Sequence, residues 1–125
     1  MVFACAVWGQ LWRNKLIRVY CDNEAAVANL NSGRSKEPWS MHMIRCLFFI
    51  KAIYGLELEV LHLPGKMNSL ADALSRNEFA YFHSQVPGAR RYQVPAQVLN
   101  LLVLERPDWT SVAWTQLFAN YFQRA

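Results

Sequence analysis

The stretch "KLIRVYCDNEAAVANLNSGRSKEPWSMHMIRCLFFIKAIYGLELEVLHL", residues 15–63, decides the fold. Its first seven residues, 15–21, are a β-branched and aromatic run that reads as a strand. Its last eight, "LELEVLHL" at 56–63, alternate apolar and charged side chains, the pattern of a half-exposed strand. The intervening residues have helical periodicity. "DNEAAVANLNSG" forms one helix, with Asn23 placed to cap it and Gly33 at its C′ position. Pro38 to Tyr54 forms a longer one, with proline in the first turn and Gly55 ending it. Met43, Ile44, Leu47, Ile50 and Tyr54 recur at spacings of three and four, and the centre "CLFFI" is apolar nearly all round, which predicts packing on two sides. A strand, two crossover helices and a second strand imply a parallel pair with helices on its faces.

Outward from this unit, residues 1–12 have the spacing of the tail of a helix: Val2, Phe3, Ala6, Val7, Gln10 and Leu11. No Ser, Thr, Asp or Asn cap precedes it, so Met1 is expected to lie within a helix that begins earlier. On the other side, "HLPGKMNSLADALSR", residues 62–76, carries a Pro-Gly turn into a helix expected from about Ser69 to Tyr81. "SQVPGARRYQVP" is a turn-rich linker. Beyond it lie two helical segments, "PAQVLNLLVLERP" and "TSVAWTQLFANYFQRA", the second with Trp114, Leu117, Phe118 and Phe122 on one packing stripe. The division is a partial α/β domain over 1–84 and a linker with short helices over 85–125. Two strands alone make only a marginal sheet.

Composition narrows the class. In a chain of 125 residues, 54% hydrophobic and 14% aromatic, disorder is excluded and at most one modest domain is expected. The net charge of +4 is compatible with a polyanionic partner without establishing one. Cys5, Cys21 and Cys46 are odd in number and form no CxxC pair, so they read as small buried hydrophobes in a reducing compartment. The apolar start "MVFACAVWG" lacks a basic flank and is too short to span a bilayer. The expectation is a soluble protein of the cytoplasm or nucleus.

Two acidic residues raise a chemical question. Asp22 follows the first strand at its carboxyl end, where α/β sheets place their ligands; it equally suits an N-cap or an Asx turn. Asp72 lies in the first turns of a short helix, where a carboxylate is favourable on electrostatic grounds alone. Taken together they would meet at one sheet edge, and paired carboxylates suit Mg²⁺ or Mn²⁺. His62, ending the second strand, could shuttle a proton beside such a metal, or be structural. Glu24, one helical step past Asp22, is expected to point elsewhere. His42 and His83 read as packing or surface residues.

"AVWGQLW", "CDNEAAV", "LNSGRSKEP", "MIRCLFFIKA" and the composite H-x-P-G-x-x-N-x-x-A-D-A-L-S-R together resemble the latter half of the ribonuclease H domain of retrotransposon reverse transcriptases. The resemblance runs from about Val2 to Arg76 and is nearest to the DIRS-like branch, whose elements carry a tyrosine recombinase. "PDWTSVAWTQLF" resembles the segment linking the two. The resemblance implies a partial ribonuclease H-like fold and hydrolysis of the RNA strand of an RNA–DNA hybrid by two metal ions about 3.5–4 Å apart. It implies four acidic ligands, of which Asp22 matches the third and Asp72 the fourth, and it matches His62 to a histidine that helps product leave. Asn23, Arg34, Lys36 and Asn68 are the expected substrate contacts, although the basic loop of Arg34 and Lys36 equally suits a solvated loop. The family's first three strands, with its first aspartate and its glutamate, have no counterpart in this sequence. The chain as it stands is therefore expected to be inactive, with a bare strand edge at residues 16–21 open to pairing.

Overall fold

The first strand, β1 (Leu16–Cys21), pairs in parallel with β2 (Glu57–His62), and the register sets Leu16 opposite Glu57 and Cys21 opposite His62. These contacts belong to a computed structural model that describes residues 1–104 together with Gln116 and Asn120. Among the described residues the fold is mixed α/β, with a two-stranded sheet. The helices are α1 (Val2–Trp8), α2 (Glu24–Ser32), α3 (Pro38–Tyr54), α4 (Ser69–Ser75), α5 (Phe79–Gln85) and α6 (Ala96–Leu99). A 3₁₀ turn at Gly65–Met67 precedes α4, and a π-helical turn at Asn100–Leu104 follows α6. The stripe from Trp114 to Phe122 lies outside the described residues. No helix among those described is long and apolar enough to cross a membrane.

The crossover helices have the boundaries their end residues dictate. Asn23 caps α2 by accepting from the Ala26 amide at 3.0 Å, and Gly33 closes it at φ 71°. The α3 N-terminus is held by Glu37, whose carboxylate accepts from the Trp39 and Ser40 amides, with Pro38 at the first position. Gly55 ends α3 at φ 62°, a left-handed conformation open to glycine at little cost. Two elements differ from expectation. The helix expected over 69–81 is broken after Ser75, because Asn77 turns left-handed at φ 60° and restarts the chain as α5. The first helix is regular only to Trp8; Gly9 to Asn14 form turns that deliver the chain to β1.

Alternation along the strands sorts the two faces of the pair. Ile17 and Val19 of β1 lie opposite Leu58 and Val60 of β2 and turn toward the helices, while Leu16, Arg18, Tyr20 and Glu57 stand exposed. On the exposed face Arg18 donates to Glu59, directly across the register, at 2.8 Å, and this carboxylate raises the pKa of the guanidinium. The core sits between α1 and α3 and includes Cys5, Cys46, Leu47, Ile50, Tyr54 and Leu56. Val98, Leu101 and Leu102 are packed into the same cluster. A fully buried side chain such as Ile50 contributes roughly 1.5–3 kcal/mol. The expectation that the centre of α3 packs on two sides holds for Cys46, Leu47 and Ile50 but not for Phe48, which is 67% exposed.

His42 is a packing residue, as its isolation in sequence suggests: buried, it makes a 2.9 Å contact from Nε2 to the Leu102 carbonyl oxygen. His83 is exposed. Cys5 and Cys46 are buried free thiols, Cys21 a half-buried one. Burial pushes the Cys5 thiol up to about 11 and the Cys46 thiol up to about 12.

Two predictions follow from this packing. A methyl group at Gly9 would collide with the Tyr54 ring and the Cys5 carbonyl oxygen. Gly9→Ala should therefore destabilise the fold by about 1–3 kcal/mol in urea unfolding. The thiols set an alkaline limit. Unfolded cysteines ionise near 9.0 while the folded ones stay protonated, so stability is complete below that value and falls as pH climbs toward 11–12. Thermal melts across that range should show a shallower decline for Cys46→Ala than for the parent.

Candidate functional site

Because β1 and β2 are parallel, both carboxyl ends open onto one rim, and the chain leaves that rim twice. After Cys21 it passes through Asp22 into α2; after His62 it passes through the 3₁₀ turn into α4. The Leu63 amide donates to the Cys21 carbonyl at 2.9 Å, extending the pairing one step beyond the strands. This holds the Pro64–Asn68 turn against the β1 exit. A Cβ placed on Gly65 would lie 4.0 Å from Asp22 Oδ2, so the turn passes beside the carboxylate.

The two readings of Asp22 now separate. The cap of α2 is made by Asn23, and among the described residues the exposed Asp22 carboxylate accepts no hydrogen bond. Asp22 is therefore available for a ligand, whereas the Asn23 oxygen is engaged in the cap. Asp72 sits in the first turn of α4, its amide donating to the Asn68 carbonyl at 3.0 Å. Its carboxylate lies 3.3 Å from Arg76 Nε, one helical turn on. Both partners are solvent-exposed to a large degree, so this ion pair is weak and easily exchanged for another cation. Asn68 is half-buried at the start of α4 and makes no side-chain cap.

His62 reaches the same rim, and its Nε2 lies 3.9 Å from a Glu24 carboxylate oxygen. Glu24, expected to point away from Asp22, brings its carboxylate to the histidine, and among the described residues it does not join Asp22 in a metal-holding group. The signal was present in the sequence, since a cap at Asn23 makes Glu24 the first helical residue, beside the end of the neighbouring strand. Arg34 and Lys36 are placed apart from this group. They follow α2 at its far end, and the nine residues of that helix span about 13 Å. There they line a polar depression with Asn29, Ser32, Ser35 and Glu37.

The donors at the rim are hard oxygen atoms suited to Mg²⁺ or Mn²⁺. Among the described residues no three histidine, cysteine, aspartate or glutamate side chains are grouped to hold a metal ion. Two divalent cations 4 Å apart repel by on the order of 4 kcal/mol even at the dielectric constant of water. Asp22 and Asp72 alone are a small counter-charge for such a pair. Comparison with models of protein families, with curated proteins and with solved structures finds no match.

The division of labour between neighbours is directly testable. Asn23→Ala removes the cap of α2 and should cost about 1 kcal/mol in chemical denaturation. Asp22→Asn, one residue earlier, should stay within about 0.5 kcal/mol of the parent because its side chain supports nothing in the fold.

Proposed function

We infer that this chain carries the latter part of a ribonuclease H-like nuclease domain from a retrotransposon reverse transcriptase, and that its rim engages the RNA strand of an RNA–DNA hybrid. The observation that carries this reading is the parallel register joining Cys21 to His62. It delivers an Asp22 carboxylate without a structural partner to the turn that leads into the Asp72 helix. The order of elements from β1 to α4 and the sequence motif at 62–76 support it as well. In this reading Asp22 and Asp72 are ligands for Mg²⁺ or Mn²⁺. In a domain completed by the missing carboxylates, His62, with Glu24 facing its ring, would be the group that holds and releases a proton at the leaving oxygen. Arg34 and Lys36 contact phosphates further along the duplex, which the length of α2 favours over contact at the scissile bond. Asn68, half-buried between the turn and α4, lines the approach to the rim. Cleavage calls for more carboxylates than Asp22 and Asp72, so the chain by itself is a hybrid-binding and not a hybrid-cutting unit.

A second, non-catalytic reading has its own observation. Among the described residues β1 is paired along one edge only, and beside it runs a groove of about 750 Å³ whose walls include Val19, Tyr20, Met1, Trp39 and Met43. An extended segment of a partner polypeptide could add there through main-chain hydrogen bonds.

Hybrid binding measured with and without millimolar Mg²⁺ tests the first reading. The parent should bind an RNA–DNA duplex more tightly when Mg²⁺ is present, because a cation held by Asp22 and Asp72 would offset their repulsion of the backbone phosphates. Asp22→Asn and Asp72→Asn should bind at least as well as the parent in chelator, having lost a charge that repels phosphate, and should gain nothing from Mg²⁺. Equal Mg²⁺ responses in all three proteins would remove the carboxylates from the function.

A further inference from the structure

At the opposite end of the sheet, an aromatic and basic patch stands apart from the carboxylate rim. The ends of α1 and α3 meet there: the Asn14 amide donates to the Tyr54 carbonyl, and Lys15 leads directly into β1. Six strand residues, roughly 20 Å, separate this end from Asp22 and His62. The Trp8 ring, 36% exposed, packs against Trp12 at 6.2 Å and against Tyr92 at 5.8 Å between centroids. Tyr92 comes from the linker after α5 and is 65% exposed. The Trp8 and Tyr92 rings are tilted 59° to one another, so they do not stack flat, and both keep exposed surface.

Arginines adjoin these rings along the chain, Arg13 directly after Trp12 and Arg91 directly before Tyr92. Arg13 lies over the Tyr54 ring at 5.5 Å, and Arg91, next to Tyr92 in the chain, lies over the 41%-exposed Phe79 ring at 5.7 Å. Arg90 adjoins them and is exposed. Among the described residues none of these three arginines is paired with a carboxylate, although Glu78 is exposed beside Phe79. Arg13 donates to the Gln10 side-chain oxygen at 2.9 Å, so its charge is not neutralised. A hydrophobic partner alone would not call for arginines without a carboxylate at the margin, and an anionic partner alone would not call for exposed rings. Flat π-faces bordered by cations match one chemistry: unpaired bases on a phosphate backbone.

We propose that the Trp8–Tyr92 patch is a second nucleic-acid site, a stacking platform for single-stranded DNA or RNA with Arg13, Arg90 and Arg91 contacting its phosphates. It goes beyond hybrid engagement at the carboxylate rim and does not depend on it. A base pair hides the faces of its bases in the duplex stack, so the platform discriminates against duplex and selects a frayed or displaced strand. With two or three phosphates of a single strand contacted, the logarithm of affinity should fall against the logarithm of salt with a slope of about −1.4 to −2.1.

The test uses the full chain and a fluorescein-labelled oligothymidylate of about 12 nucleotides, read by anisotropy and by tryptophan quenching. Tyr92→Ala, a change at an exposed position, should weaken binding by about tenfold. Arg91→Gln should flatten the salt slope by about one phosphate. Parent-like affinity in Tyr92→Ala, or an unchanged salt slope in Arg91→Gln, overturns the proposal, as does tighter binding of a blunt DNA duplex than of the single strand. Sedimentation that shows a dimer dissolved by Tyr92→Ala would also overturn it, by assigning the patch to self-association. Hybrid binding that survives in Tyr92→Ala separates failure here from failure at the rim.

Discussion

Everything at the candidate site depends on β1 and β2 being paired in the same direction. Parallel pairing requires a crossover, here α2 and α3, and brings the carboxyl ends of both strands to one rim. The 2.9 Å bond from the Leu63 amide to the Cys21 carbonyl carries that pairing past the last strand residues. Asp22, His62, Glu24 and the turn before α4 are consequently neighbours although 40 residues separate Asp22 from His62 along the chain. An antiparallel pairing of the same strands would send these groups to opposite ends of the sheet.

The same constraint separates two surfaces of opposite character. The rim at the carboxyl ends gathers carboxylates and a histidine, while the amino ends gather Trp8, Trp12, Tyr92 and arginines without a carboxylate partner among the described residues. A strand of six residues keeps the two apart, so their charges are separated by more than a Debye length at physiological salt and act independently. The overall charge of +4 is therefore a poor guide to either surface, since it averages an acidic end with a basic one.

Much of the scaffold is legible locally because local chemistry sets it. Asn23, Gly33, Pro38 and Gly55 mark helix ends by the backbone groups they satisfy or the dihedral angles they permit, and the structure ends its helices there. The failures also have local causes. The pattern over 69–81 is helical throughout in its side chains, but Asn77 tolerates the left-handed region and breaks it. Phe48 belongs to an apolar run whose neighbours are buried, yet helical geometry turns it to the outer side of α3. Periodicity reports which residues share a face and says nothing of whether a second element arrives to cover it.

The amino-acid sequence by itself determined the two strands, the crossover helices between them and the candidacy of Asp22, Asp72 and His62, because strand alternation, helix caps and turn residues act over a few positions. Only the tertiary structure decided that Glu24 meets His62 and that Arg34 and Lys36 stand a helix length from the rim. It alone joined Tyr92 to Trp8 and placed Val98, Leu101 and Leu102 in the core with Cys5 and Cys46. Those outcomes turn on distances between residues remote in the chain, which are set by how the layers pack and leave no periodic trace in the order of the residues.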